Sequence, residues 1–181
     1  MDKITIAGKT FYKFIEYKSL LHIIKNLSQR LNTEFKEEEI IFLGVLNGSF
    51  MFCAELLKYI SVKNQLSFIK LSSYEGNHSS GKVKQLIGLD TDISGKTVIL
   101  LEDIVDSGIT LDYLLESLKI HQAKVIFTTT LLFKPDAFKG RTKPQYIGME
   151  IPDKFVLGFG LDYNGYGRNY TDIYALEENN K

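Results

Sequence analysis

The chain has 181 residues, 44% of them apolar, which is enough for one unit with a substantial core and short for two. Lys plus Arg and Asp plus Glu both total 22, so no global positive field points to nucleic acid or an anionic membrane as the partner. A single cysteine, Cys53, excludes an internal disulfide, and no Cys/His cluster has zinc spacing. The opening "MDKITIAGKT" lacks the basic start and apolar run of a signal peptide, and no segment has the length of a membrane span. The expectation is a cytoplasmic protein whose chemistry is local.

In chain order, Leu20, Ile24, Leu27 and Leu31 fall at i, i+4, i+7 and i+11, the stripe of an amphipathic helix from about Tyr17 to Phe35. "IIFLGVL" (40–46) is a nearly all-apolar run ending in Asn47-Gly48 and reads as a strand covered on both faces. "SFMFCAELLKYI" reads as a helix with Phe50, Ala54 and Leu57 on its apolar side, and Cys53 as a small buried residue. Further strands are read at "QLSFIKL" (65–71) and "KQLIGL" (84–89), separated by the polar "SSYEGNHSSGKV". "TVILL" (97–101) is the most apolar strand. Leu111, Leu114, Leu115 and Leu118 mark the helix after it, and "KVIFTTTLLF" (124–133) the next strand. Strand, helix, strand at this spacing predicts a mostly parallel twisted sheet flanked by helices, an α/β fold. "YIGMEI" and "FVLGFGL" have strand character without an intervening helix, and read as an edge extension plus a small subdomain. His22, His78 and His121 are expected on a helix surface or in loops, and the tail "EENNK" to be frayed.

The run "VILLEDIVDSGIT" (98–110) raises the functional question, because a buried strand leads into three carboxylates. In open α/β sheets ligands sit outside the carboxyl ends of strands, which is where Glu102 to Thr110 falls. Asp106-Ser107-Gly108-Ile109-Thr110 opens a helix whose free amides and hydroxyls make a phosphate cradle, with Gly108 allowing close backbone approach. The acids just upstream would repel that phosphate unless they bind hydroxyls or act with Mg2+. A sugar phosphate meets both demands. A strand-end phosphoacceptor domain of the receiver type would need an acid on the first core strand, and "IIFLGVL" has none.

This run resembles the phosphoribosyl pyrophosphate (PRPP) motif of the type I phosphoribosyltransferases, and the likeness extends over about residues 40–170, closest to the hypoxanthine-guanine branch. "GVLNGS" (44–49) is similar to the pyrophosphate loop, with Asn47 where the family commonly has lysine, so the amides of Gly48 and Ser49 are the expected contacts. Ser73 and Tyr74 resemble the signature of the catalytic lid, whose use is to keep water from the charged sugar ring as pyrophosphate leaves.

The resemblance also implies a base site. Lys134 after "LLF" would bond the purine 6-oxo group, Phe155 stack on the ring, and Val156 offer its backbone to the base edge. Asp162 would be a second metal contact beside Glu102 and Asp103, and Arg168 a pyrophosphate contact. Glu102 and Asp103 would hold the ribose hydroxyls, residues 106–110 the 5-phosphate, and Asp106 the proton at purine N7. The implied fold is the type I phosphoribosyltransferase fold as a single domain over residues 1–181, with a core over about 37–150 and a hood from about 1–15 and 151–181. The implied activity is purine salvage by a homodimer or homotetramer, with Mg2+, PRPP and hypoxanthine or guanine as inputs, and IMP or GMP and pyrophosphate as products. Two alternatives stand beside it: a non-catalytic regulator that binds PRPP or nucleotide on the same fold, and a transferase of another base, xanthine or adenine.

Overall fold

The computed structural model describes residues 2–73 and 83–177, the side chains of 71–73 and 83–87 excepted. The chain begins with a hairpin that periodicity did not reveal. Strands β1 (Lys3–Ile6) and β2 (Lys9–Ile15) pair antiparallel, with Ile6 opposite Lys9. The turn between them is Ala7-Gly8, both at positive φ, the geometry that matches strand twist in a two-residue hairpin. Helix α1 (Tyr17–Glu34) follows with Leu20, Ile24, Leu27 and Leu31 buried, as their spacing requires. Its first amide, Tyr17 N–H, is capped from the far end of the chain by the Asp172 carboxylate at 2.7 Å.

Strand β3 (Ile40–Leu46) leads to α2 (Phe50–Leu57), a helix of only eight residues. Its buried side is Phe52, Cys53 and Leu56, whereas Phe50 and Ala54 are exposed, so the face inferred from Phe50, Ala54 and Leu57 is corrected. The segment is apolar nearly all round, and its sequence carries no polar face to set the orientation. Then come β4 (Asn64–Ser73), β5 (Val83–Ile87), β6 (Thr97–Val105), α3 (Ile109–Leu118) with a 3-10 turn at Lys119–His121, β7 (Val125–Phe133) and β8 (Tyr146–Glu150). Strands β9 (Val156–Leu157) and β10 (Ile173–Leu176) close the chain.

The larger sheet has the order β5-β4-β3-β6-β7-β8, parallel throughout except for the antiparallel edge strand β5. Its strands are apolar on both faces because each face is covered. On β3 and β6, Ile40, Phe42, Ile99 and Leu101 join the core that holds α1 and α2, while Ile41, Leu43, Val98 and Leu100 join Leu111, Leu114 and Leu118 of α3.

The second sheet, β1-β2-β10-β9, is antiparallel and brings the two ends of the chain together as a hood. Ile15, Val156, Phe159, Ile173 and Ala175 bury into the α1/α2 core, and Ile6, Phe11, Leu157 and Tyr174 form a small cluster of their own. "FVLGFGL" supplies only the two residues of β9, because Gly158, Phe159 and Gly160 all take positive φ and turn the chain out of the strand. No helix among the described residues is long and apolar enough to cross a membrane.

Candidate active site

Beyond the C-terminal end of the parallel strands lies a cleft of about 330 Å³, lined by Val45 and Leu46 at the end of β3 and Gly48 after it, by Glu102 to Val105 of β6, and by the loop 106–108 with Thr110 and Leu111 of α3. One contiguous stretch of chain thus builds most of the wall. Glu102 is buried at 6% exposure, and its carboxylate has no hydrogen-bond donor among the described residues. Burial, with the neighbouring Asp103 charge second, raises its pKa well above the usual glutamate value. Burial also pushes Asp103 up to about 6, against the pull of the Ile104 amide, its own amide and the Arg168 charge. Two adjacent carboxylates short of partners are costly for a fold and need a ligand that supplies hydroxyls or a cation.

Gly108 sits at φ +80 and precedes α3, whose first turn has no side-chain cap. Ser107 Oγ accepts the Ile109 amide only at 3.4 Å. The start of α3 therefore borders the cleft, with Ser107, Gly108, Thr110 and Leu111 in its lining. The fold gives the glycine a reason of its own. A Cβ at Gly108 would stand 2.4 Å from Phe138 Cε2 and 3.1 Å from the Gly140 Cα, so the residue is demanded by its φ and by the 134–140 segment behind it. The Lys139 amide also donates to Ser107 O at 2.9 Å, fastening that segment to the loop.

Across the cleft, Asn47 is exposed and follows a cis peptide from Leu46. A Cβ on Gly48 would fall 1.6 Å from Asp103 Oδ2, so only glycine lets the β3 loop lie against the β6 acids. Ser49 is buried and makes no side-chain cap, and its amide donates back to Val45 O at 3.4 Å. Of the two amides expected to face an anion, Gly48 is the one left. Gly160 of the hood, at φ +99, packs so closely that its Cβ would be 2.0 Å from Gly48 O. Arg168 Nη1 donates to Gly160 O at 2.7 Å, and its Nη2 pairs with Asp162 Oδ1 at 2.6 Å. The other Asp162 oxygen accepts the Gly165 amide at 2.7 Å. Asp162 and Arg168 are thereby held together on the loop side.

Among the described residues no group of three or more potential metal ligands converges, Glu102, Asp103 and Asp162 included. Asp162 is paired instead with Arg168 and the Gly165 amide. Glu102 and Asp103 remain, and two adjacent carboxylates without side-chain donors suit a hard divalent cation such as Mg2+.

The base-side residues come from three separate segments. Lys134 follows β7 and is 5% exposed; its Nζ donates to Asp106 Oδ2 at 2.6 Å and to Asp153 Oδ1 at 3.2 Å. Phe155 is 45% exposed, backed by Phe11 at 6.4 Å and edge-on to Tyr163 at 5.5 Å between ring centroids. The Val156 side chain is buried, but its backbone is not consumed by the sheet. Leu176 N–H donates to Phe155 O at 2.9 Å, and pairs alternate along an antiparallel ladder, so Val156 opposite Ala175 turns its N–H and C=O to the free edge of β9. Ser73 ends β4 opposite Val83, and Tyr74 lies outside the described residues. Asp153, Phe138 and Gly160 were not singled out from sequence. Asp153 stands inside the quoted "IPDKFV", but its contact is with a residue 19 positions earlier.

Residues 16–164 match the family described as the phosphoribosyl transferase domain. The chain belongs to that family. Among its relatives, this phosphoribosyltransferase is 41% identical to the hypoxanthine-guanine phosphoribosyltransferase of Bacillus subtilis (strain 168) over 156 residues, 85% of this chain and 86% of the relative. It is 34% identical to the enzyme of the same name from Aquifex aeolicus (strain VF5) over 175 residues, 96% and 98% of the two chains. A crystal structure of a hypoxanthine-guanine phosphoribosyltransferase from Bacillus anthracis superimposes with a TM-score of 0.86 at 37% identity, covering 92% of this phosphoribosyltransferase and 97% of that chain.

Proposed function

We propose that this phosphoribosyltransferase is a purine salvage enzyme that joins hypoxanthine or guanine to PRPP, forming IMP or GMP and releasing pyrophosphate. The observation that carries the reading is the pairing of a capless helix start at 107–110 with the donor-poor acids Glu102 and Asp103 in one cleft, a combination that fits a phosphate and a diol on the same molecule. The loop from Asp106 to Thr110 holds the 5-phosphate through its amides and hydroxyls. Glu102 and Asp103 orient the ribose hydroxyls, and they are the residues that would hold Mg2+. When bound, that cation supplies charge neutralisation for the departing pyrophosphate. The Gly48 amide and Arg168 bind the pyrophosphate from the hood side, with Asn47 beside them. Asp162 orients the Arg168 fork.

On the base side, Phe155 stacks on the purine, the Val156 backbone meets its edge, and Lys134 donates to the 6-oxo group. Asp106 accepts the proton from purine N7, the electron pair staying on the base as N9 bonds to the sugar carbon. Ser73 and Tyr74 belong to the lid. We read residues 1–181 as one cytoplasmic domain of core and hood, in the form of a homodimer or homotetramer.

Incubation with PRPP, Mg2+ and each nucleobase in turn, followed by chromatography of the nucleotides, tests the reading. Nucleotide from hypoxanthine and guanine, and a negligible amount from adenine, is expected. No nucleotide from any base would leave a PRPP-binding regulator, and adenine used as well as hypoxanthine would move the specificity elsewhere.

A further inference from the structure

Lysine carries its ammonium on a flexible four-carbon stem, and that stem alone does not aim a hydrogen bond. In this protein the Lys134 ammonium is buried and held at two points, by Asp106 Oδ2 at 2.6 Å and Asp153 Oδ1 at 3.2 Å. An ammonium has three donors, so two fixed contacts leave one N–H with a defined direction. The two carboxylates differ in what else they do. Asp106 lies on the wall of the phosphate cleft, at the end of β6, and carries the proton-accepting role assigned above. Asp153 is in the segment between β8 and β9, two residues before Phe155, and holds no other hydrogen bond among the described residues.

We infer that Asp153 is a positioning residue for base recognition: it holds the Lys134 ammonium so that its remaining N–H points at the 6-oxo group of the purine. The inference rests on the purine reading above. It also gives Lys134 an anchor that survives the reaction. As the N7 proton moves to Asp106, the N7–H bond breaks, an O–H bond forms on Asp106, and that carboxylate loses its negative charge. Asp153 keeps its own and remains beside the buried cation. Because Asp153 and Phe155 share a short segment of the hood, the hydrogen-bonding and stacking groups are set relative to one another by that segment.

The test measures kcat and KM for hypoxanthine, guanine and PRPP in the wild type, Asp153→Asn, Asp153→Glu, Lys134→Ala and the double variant Asp153→Asn/Lys134→Ala. Asp153→Asn should raise KM for both oxopurines about tenfold, with kcat and the PRPP KM changed by less than about threefold, and Asp153→Glu should recover most of the loss. In the Lys134→Ala background the Asp153 substitution should have no further effect on the oxopurine KM. An unchanged oxopurine KM in Asp153→Asn overturns the inference, as does a uniform fall of kcat for every substrate, or an effect that adds in full to that of Lys134→Ala. Should Asp153→Asn not fold, the same comparison is made with Asp153→Ser, which loses the carboxylate and should likewise raise the oxopurine KM about tenfold without moving the PRPP KM. A wild type that makes no nucleotide from any base sinks the purine reading itself, which separates the two failures.

Discussion

The two halves of the cleft are built on opposite electrostatic terms. On the phosphate side, Glu102 and Asp103 stand next to each other at the end of a buried strand, with burial raising both pKa values and no side-chain donor to offset it. On the base side, the Lys134 ammonium already has its partners in the free protein, touching both Asp106 and Asp153. The first half gains stability when its ligand arrives, because the free protein bears the cost of the acids. The second half is satisfied without a ligand, and its pairs serve to hold donors in fixed directions. Binding and aiming are thus separated within one site.

The largest effect that sharpens this comparison should come from Asp106, which belongs to both halves. Asp106→Asn should lower kcat by about 100-fold or more, because the N7 proton loses its acceptor, while PRPP affinity changes by less than about threefold. Steady-state kinetics with a direct PRPP binding measurement decides it. Turnover at the wild-type level would leave Asp106 as no more than a neighbour of the helix start.

An intermediate effect should come from removing the cation on the satisfied side. Lys134→Met should raise KM for hypoxanthine and guanine by about 10- to 100-fold, as expected when a polar group of the ligand loses its partner in a closed pocket. Its melting temperature should move by less than about 4 °C, because Asp106 and Asp153 are half-exposed and rehydrate once unpaired. A large loss of stability with unaltered oxopurine KM would make the pair structural and erase the contrast.

The smallest effect tests the unsatisfied side through pH. Asp103 has a folded-state pKa raised from 3.8 to about 6, so wild-type stability falls as pH rises from about 4 to about 6, where the unfolded chain is ionised and the folded one still binds the proton. Above that window the penalty stays. Asp103→Asn, melted in EDTA without PRPP, should match the wild type near pH 4 and exceed it by about 2–4 °C above pH 6. A gain of equal size at every pH, or a loss, would show that the acid is not held at a cost.

Much of this was legible in the chain because the informative residues are contiguous or periodic. Leu20 to Leu31 repeat at helical spacing and form the buried stripe of α1, and the aliphatic run before Glu102 places the acids at a strand end. The resemblance of residues 98–110 to the PRPP motif pointed to the family that the comparisons then showed. Where the local pattern was uniform, orientation was lost: α2 is apolar on several sides, and only packing against α1, β3 and β6 selects Phe52, Cys53 and Leu56. The β1–β2 hairpin is stabilised by β10 from the other end of the chain, so its strand character is a long-range fact.

The sequence by itself determined the parallel sheet, the phosphate-loop position and the order of the site residues, since each follows from neighbours a few positions apart. Tertiary structure alone decided the rest. It set Gly160 onto Gly48, put Phe138 behind Gly108, paired Asp162 with Arg168 and the Gly165 amide, and joined Lys134 to Asp153. These contacts bring distant segments within a few ångströms, and whether they form depends on the packing of the whole hood against the sheet, which no local spacing encodes.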